Sequence, residues 1–147
     1  MASQPIVEEP KEMVFVYGTL RSKLHNSTHL HDAELVALDE VPGRLWIIHH
    51  QGVYSIPGAQ FLHPPAPTTL PTVKGELYRV TPHRLRMLDA IEGHPEVYRR
   101  TLVTTIGGHY AWAYEWPHDV KARNLVEGGD WAQWVQAKMA SKVGRRR

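Results

Sequence analysis

The chain has 147 residues, 42% hydrophobic and 22% charged, which suits one folded domain and excludes disorder throughout. It has no cysteine, so disulfides, a thiolate nucleophile and cysteine-bound metal are excluded. The formal charge of +2 gathers at the C-terminus in Lys142, Arg145, Arg146 and Arg147. Without those four, 13 basic residues face 15 acidic ones, so the body has no basic footprint for nucleic acid.

The chain does not open on a basic-then-apolar leader, and its apolar runs are a few residues long, against the roughly 20 residues a membrane span needs. A cytoplasmic protein without membrane contact is expected. Residues 1–12, with Pro5 and Pro10, read as a flexible N-terminal arm, 13–141 as a single domain and 142–147 as a basic, solubilising tail.

Val14 to Tyr17 is an apolar run that predicts a buried strand, stopped by Gly18 and Thr19. Leu24 to His31 reads as a loop or a single helical turn. Ala33 to Val41 and Arg44 to His49 predict two strands separated by a turn at Pro42-Gly43. A turn near His50-Gln51-Gly52 leads to a short strand, Val53 to Ile56, ended by Pro57-Gly58. Four prolines between Ala59 and Thr72 predict a long surface loop there.

Val73 to Val80 resumes strand character. Thr81-Pro82 predicts a helix start, with threonine as N-cap and proline in the first turn; Gly93 and Pro95 stop the helix after Glu92. Tyr98 to Ile106 and His109 to Trp116 predict a hairpin around a two-residue turn, Gly107-Gly108. On the returning strand, Tyr110, Trp112, Tyr114 and Trp116 share one face, expected to be core. Gly128-Gly129-Asp130 caps a last helix whose Trp131, Trp134, Val135, Lys138 and Met139 form one docking stripe. This order disfavours a doubly wound parallel sheet and predicts an α+β domain with a curved, barrel-like sheet.

Two places carry candidate chemistry. The loop after Tyr17 exposes backbone N–H groups where an apolar strand ends, and such a loop suits a carboxylate or a carbonyl oxygen; the plainer alternative is a turn that needs glycine. Glu92 lies four residues after Leu88 and seven after Leu85, on the same face of the predicted helix. A carboxylate on a buried face pairs with a cation such as Arg99 or Arg100, or turns to water where the helix end frays, or sits in an apolar cleft with a raised pKa, suited to moving a proton. Asp89, beside Leu88, is assigned at most a role near the turn at Gly93. Of the ten histidines, His25, His29 and His31 cluster, but no His-Glu-x-x-His motif or other ligand signature accompanies them, so no metal is expected. No Gly-x-Ser-x-Gly elbow or phosphate loop occurs.

The run Val14-Phe15-Val16-Tyr17-Gly18-Thr19-Leu20-Arg21, then Gly75-Glu76-Leu77-Tyr78 with Leu88-Asp89-Ala90-Ile91-Glu92-Gly93, then Tyr98-Arg99-Arg100, resembles the gamma-glutamylcyclotransferase superfamily, especially its gamma-glutamylamine cyclotransferase-like branch. Gly52-x-Tyr54 is similar to a further segment of the pattern, with Ser55 where proline is frequent, and the proline-rich stretch 59–72 is longer than usual. The resemblance implies a small α+β fold with a mixed barrel-like sheet and a cleft at one end. It implies Glu92 as general acid/base, and Tyr17, Gly18, Thr19, Leu20, Tyr54 and Tyr98 as substrate-binding residues. It further implies a cofactor-independent enzyme that releases 5-oxoproline from a gamma-glutamyl amine or gamma-glutamyl amino acid. The alternative is a non-catalytic small-molecule-binding protein on the same scaffold.

Overall fold

The computed structural model describes residues 11–19, 27–30, 32–50, 54–62 and 71–144. The expected arm up to residue 10, Leu20, His25, His31 and the turn at 51–53 therefore lie outside the described residues, as do 63–70 of the proline-rich stretch and the last three residues.

Six strands form one mixed sheet: β1 (Glu12–Val16), β2 (Glu34–His50), β3 (Tyr54–Phe61), β4 (Thr72–Val80), β5 (Arg99–Thr104) and β6 (Tyr110–Glu115), in the order β3-β2-β4-β1-β6-β5. β1 runs parallel to β6, and every other pairing is antiparallel. Two helices, α1 (Pro82–Glu92) and α2 (Trp131–Gly144), complete an α+β fold. Short 3₁₀ turns span Ser27–Leu30 and Ala122–Asn124.

β1 sits at the centre because its alternating side chains fill two cores. Phe15 and Tyr17 point into the curl of the sheet with Val41, Leu45, Phe61, Val73 and Leu77. Val14 and Val16 point to the other face and meet Leu85 and Leu88 of α1, with Leu30, Tyr78 and Tyr114. A strand buried on both sides reads as an unbroken apolar run.

The predicted turn at Pro42-Gly43 is a correction: both residues lie inside the single strand β2. Up to Pro42, β2 pairs with β4; from Gly43 onward it pairs with β3. Gly43 marks the crossover because a Cβ there would lie 2.5 Å from the Gln60 carbonyl oxygen. The predicted stop at Pro57-Gly58 is likewise a strand interior, and Ala59 to Phe61 belong to β3 rather than to a surface loop, with Ala59 and Phe61 buried. β3 is an edge strand, where proline costs no ladder bond if its nitrogen faces outward. It does: the Pro57 carbonyl accepts from the Tyr98 hydroxyl, away from β2.

The outer edge of β3 is then covered at Ala59. Its N–H donates to the Tyr17 hydroxyl (3.2 Å), and its carbonyl accepts from Trp116 N–H (2.8 Å). These two bonds draw β3 towards the end of β6, so the sheet curls like a barrel without closing.

Other differences are local. Five residues, Thr105 to His109, join β5 and β6 rather than two, and this loop is held to β2 by Gly107 N–H and His109 Nδ1, each on the Asp39 carboxylate. Tyr110 is 72% exposed, so the aromatic face of β6 is core only from Trp112 onward. In α2 only the first turns dock; Trp131 is buried and stacks on Trp134 at 4.5 Å, while Lys138 and Met139 are exposed.

α1 is delimited by its own sequence. The Thr81 hydroxyl accepts from Arg84 N–H (3.1 Å), Pro82 opens the first turn, and Gly93 closes the helix at φ 66°, ψ 36°. Thr81→Ala is expected to lower the unfolding free energy by about 1 kcal/mol, read from urea denaturation, because that amide then loses its acceptor.

Candidate active site

The last turn of α1, the end of β1 and the start of β3 enclose a cavity of about 710 Å³. That volume is in the range of small-molecule sites. Tyr17, Gly18 and Thr19 line it from one side, Tyr54 to Pro57 from another, and Ala90 to Gly93 with Val97 and Tyr98 from a third. The loop after β1 and the glutamate of α1, 73 positions apart from Thr19 to Glu92, thus border one space.

Glu92 projects into this space from the helix face that carries Leu85 and Leu88. The half-buried carboxyl has no hydrogen-bond or ion-pair partner among the described residues. Burial alone pushes its pKa up from 4.5 to about 7. The arginines that the sequence offered as partners are engaged elsewhere: Arg99 meets Glu115 at 2.6 Å, and Arg100 meets Asp89 at 3.3 Å while lying over the Trp112 ring. A carboxyl poised between its two forms near neutral pH both accepts and donates a proton.

The turn after α1 wraps around this glutamate. Val97 N–H donates to Gly93 O (2.9 Å) and Tyr98 N–H to Glu92 O (3.3 Å). Tyr98 is buried edge-on against Trp116, and its hydroxyl donates to Pro57 O. Its pKa is raised by burial first and then by the nearby Glu92 and Tyr54. Tyr98 therefore fixes the distance between β3 and the helix end across the cavity.

Tyr17 is buried, with its ring edge-on to Phe61. Its hydroxyl donates to Tyr114 O and accepts from Ala59 N–H. Burial, then Tyr98, raises its pKa well above the usual value. The ring forms wall, and the hydroxyl is committed to structure. Gly18 is needed for closeness rather than for a left-handed backbone: a Cβ there would lie 2.6 Å from Cγ of Pro57. Thr19 lines the cavity beside it, Tyr54 stands half-open at the mouth, and Leu20 lies outside the described residues.

Asp89 is the residue that sequence reasoning undervalued. It accepts from the Tyr114 hydroxyl (2.7 Å) and pairs with Arg100, tying α1 to β6 and β5 three residues before Glu92. The available signal was the i, i+3 spacing to Glu92, which puts both carboxylates on neighbouring positions of the helix. Tyr114 also borders the cavity; burial, then its bond to Asp89, raises its pKa. Among the described residues, no group of three or more histidine, aspartate or glutamate side chains has the proximity to hold a metal ion.

A loop at a strand end that shares an apolar cavity with a carboxyl unpaired among the described residues has the form of a small-molecule site. The comparisons with known proteins agree in kind. The family model described as Gamma-glutamyl cyclotransferase, AIG2-like, matches residues 14–133. The Escherichia coli K12 gamma-glutamylcyclotransferase family protein YtfP is 36% identical over 118 residues, covering 80% of this chain and 94% of that protein. Among solved structures, the Pyrococcus horikoshii protein PH0828 superposes with a TM-score of 0.69 at 22% identity, covering 88% of this chain and 97% of that one. A mouse AIG2-like protein does so with a TM-score of 0.68 at 23% identity, covering 84% and 89%. The chain belongs to the AIG2-like gamma-glutamyl cyclotransferase family. No helix among the described residues is long and apolar enough to cross a membrane.

Proposed function

We propose that the chain is a gamma-glutamylcyclotransferase with Glu92 as its general acid/base. The substrate is a small molecule, a gamma-glutamyl amine or gamma-glutamyl amino acid, and the reaction is intramolecular. The α-amine nitrogen attacks the γ-carbonyl carbon, the new C–N bond closes a five-membered lactam, and the bond to the amide nitrogen breaks. The products are 5-oxoproline and the free amine.

Glu92 takes the proton that the attacking nitrogen must lose and returns one to the leaving nitrogen, so one carboxyl serves both steps. Nucleophile and electrophile are already tethered, and a wall that holds the chain folded removes much of the entropic barrier. The backbone of Gly18, Thr19 and Leu20 is assigned to the negative charge of the γ-glutamyl group, and Tyr17, Tyr54 and Tyr98 to its walls. The balance of the reaction requires neither metal nor organic cofactor.

The observation that carries this reading is a carboxyl with its pKa raised to about 7 by burial, in the same cavity wall system as the loop after β1. Incubation with gamma-glutamyl-lysine and gamma-glutamyl amino acids is expected to yield 5-oxoproline, detected by liquid chromatography with mass spectrometry. Binding without any 5-oxoproline is the result that overturns it, and is what a non-catalytic binding protein on this scaffold would give.

A further inference from the structure

Arg100 reaches α1 from β5, and the end of α1 offers it two carboxylates. Asp89 and Glu92 lie three residues apart, so their side chains are neighbours on the helix surface. Arg100 meets Asp89: its Nε is 3.3 Å from Oδ1, and the two side chains are only 23% and 21% exposed. The same Oδ1 accepts from the Tyr114 hydroxyl (2.7 Å), and the guanidinium carbon lies 4.5 Å from the centre of the Trp112 ring. The backbone of Arg100 is fixed as well, its N–H donating to His94 Nδ1 (2.9 Å). Asp89 and Trp112 thus hold one cation at a defined place beside the candidate base.

That place matters because of what Glu92 is assigned to do. A guanidinium within about 4–6 Å lowers a carboxyl pKa by roughly 1–3 units. A carboxylate paired in this way stays ionised near neutral pH and has no proton to return. The elements packed around Glu92 bring Tyr17 from β1, Tyr54 from β3, Tyr98 from the turn after α1 and Tyr114 from β6 to the same cavity. Burial and the Glu92 charge push the Tyr17, Tyr98 and Tyr114 hydroxyls upward, so these three stay protonated through the neutral range. His94, two residues on, accepts at Nδ1 and carries no proton there. Arg100 is the cation whose place depends on Asp89.

Resting on Glu92 as the acid/base of the reaction above, we propose that Asp89 is a positioning residue: it holds the Arg100 guanidinium against Trp112 and so leaves the Glu92 carboxyl free to take up and give back a proton. Two neighbouring carboxylates on one helix turn then have separate tasks, one binding the arginine and the other exchanging protons.

The test compares the wild type, Asp89→Asn and Asp89→Asn/Arg100→Met. One reading is the acid limb of kcat/KM for a gamma-glutamyl amide. The other needs no turnover: the pH titration of Glu92 by NMR of carbon-13-labelled glutamate carboxyls, its signal assigned by loss in Glu92→Gln. Asparagine keeps an acceptor for Tyr114 and removes the charge that holds Arg100. In Asp89→Asn both midpoints are expected to fall by about 1–3 units from about 7. In the double variant both are expected to return to about 7, which a purely structural role for Asp89 does not produce. An unchanged midpoint in Asp89→Asn overturns the proposal, and so does a double variant as low as the single one. A wild-type midpoint already near 4.5 overturns it too, since Glu92 is then not kept apart from charge or water. The expected titrations with no 5-oxoproline from any of the three proteins overturn the reaction and leave the placement of Arg100 by Asp89 standing.

Discussion

Glu92→Gln is expected to lower kcat/KM for a gamma-glutamyl amide by about 10²- to 10⁴-fold, and at the same time to make the protein more stable at pH 8. Glutamine keeps the shape and loses only the proton exchange. The stability gain follows from linkage. Burial raises the folded-state pKa from 4.5 to about 7. Between those values the folded chain binds more protons than the unfolded chain, so stability falls as pH rises through this window. Above pH 7 the full cost is present, and below about pH 4 it is gone. A shift of this size corresponds to at most ~3 kcal/mol, reduced by the water that still reaches the carboxyl, so a gain of about 1–3 kcal/mol is expected at pH 8. Urea denaturation of both proteins at pH 4, 6 and 8 reads it; a difference that does not grow with pH removes the argument for a buried, neutral carboxyl.

In the proposed mechanism the same carboxyl sets the acid limb of the rate. As a base it works only when ionised, so kcat/KM of the wild type is expected to rise with pH through about 7. An acid limb near 4.5 instead would place Glu92 in water, with no special environment to tune it.

What was legible in the sequence was what local rules decide. Thr81-Pro82 and Gly93 bound α1 because capping needs only neighbours, and Leu85, Leu88 and Glu92 share a face because the helix period requires it. What was not legible depends on residues far away. Pro42-Gly43 and Pro57-Gly58 look like stops, yet both lie within strands, because β2 changes partners at one and β3 is an edge at the other. Arg99 and Arg100 were the obvious partners for Glu92 in sequence. Arg99 instead meets Glu115 on the neighbouring strand and Arg100 meets Asp89 on α1, and that diversion leaves Glu92 unpaired among the described residues.

Tyr17→Phe is expected to cost about 2–4 kcal/mol of unfolding free energy, a large effect for the loss of one oxygen atom. That oxygen joins three strands. It donates to Tyr114 O on β6 and accepts from Ala59 N–H on β3, while its own ring extends β1 into the core. In the variant, a buried N–H on the covered edge of β3 loses its acceptor and a buried carbonyl loses a donor, each at about 1–3 kcal/mol before relaxation. Because Gly18 packs directly on Pro57 of the same strand, β3 moving outward widens the cavity just where the loop after β1 meets it. The variant is therefore expected to raise KM for gamma-glutamyl amides more than it lowers kcat, since Glu92 stands on α1, which Asp89 anchors separately through Tyr114 and Arg100. Urea denaturation with steady-state kinetics checks both. A variant that keeps wild-type stability would mean the curl of the sheet does not depend on this bond. A fall in kcat with unchanged KM would move Tyr17 from the wall of the site into its chemistry.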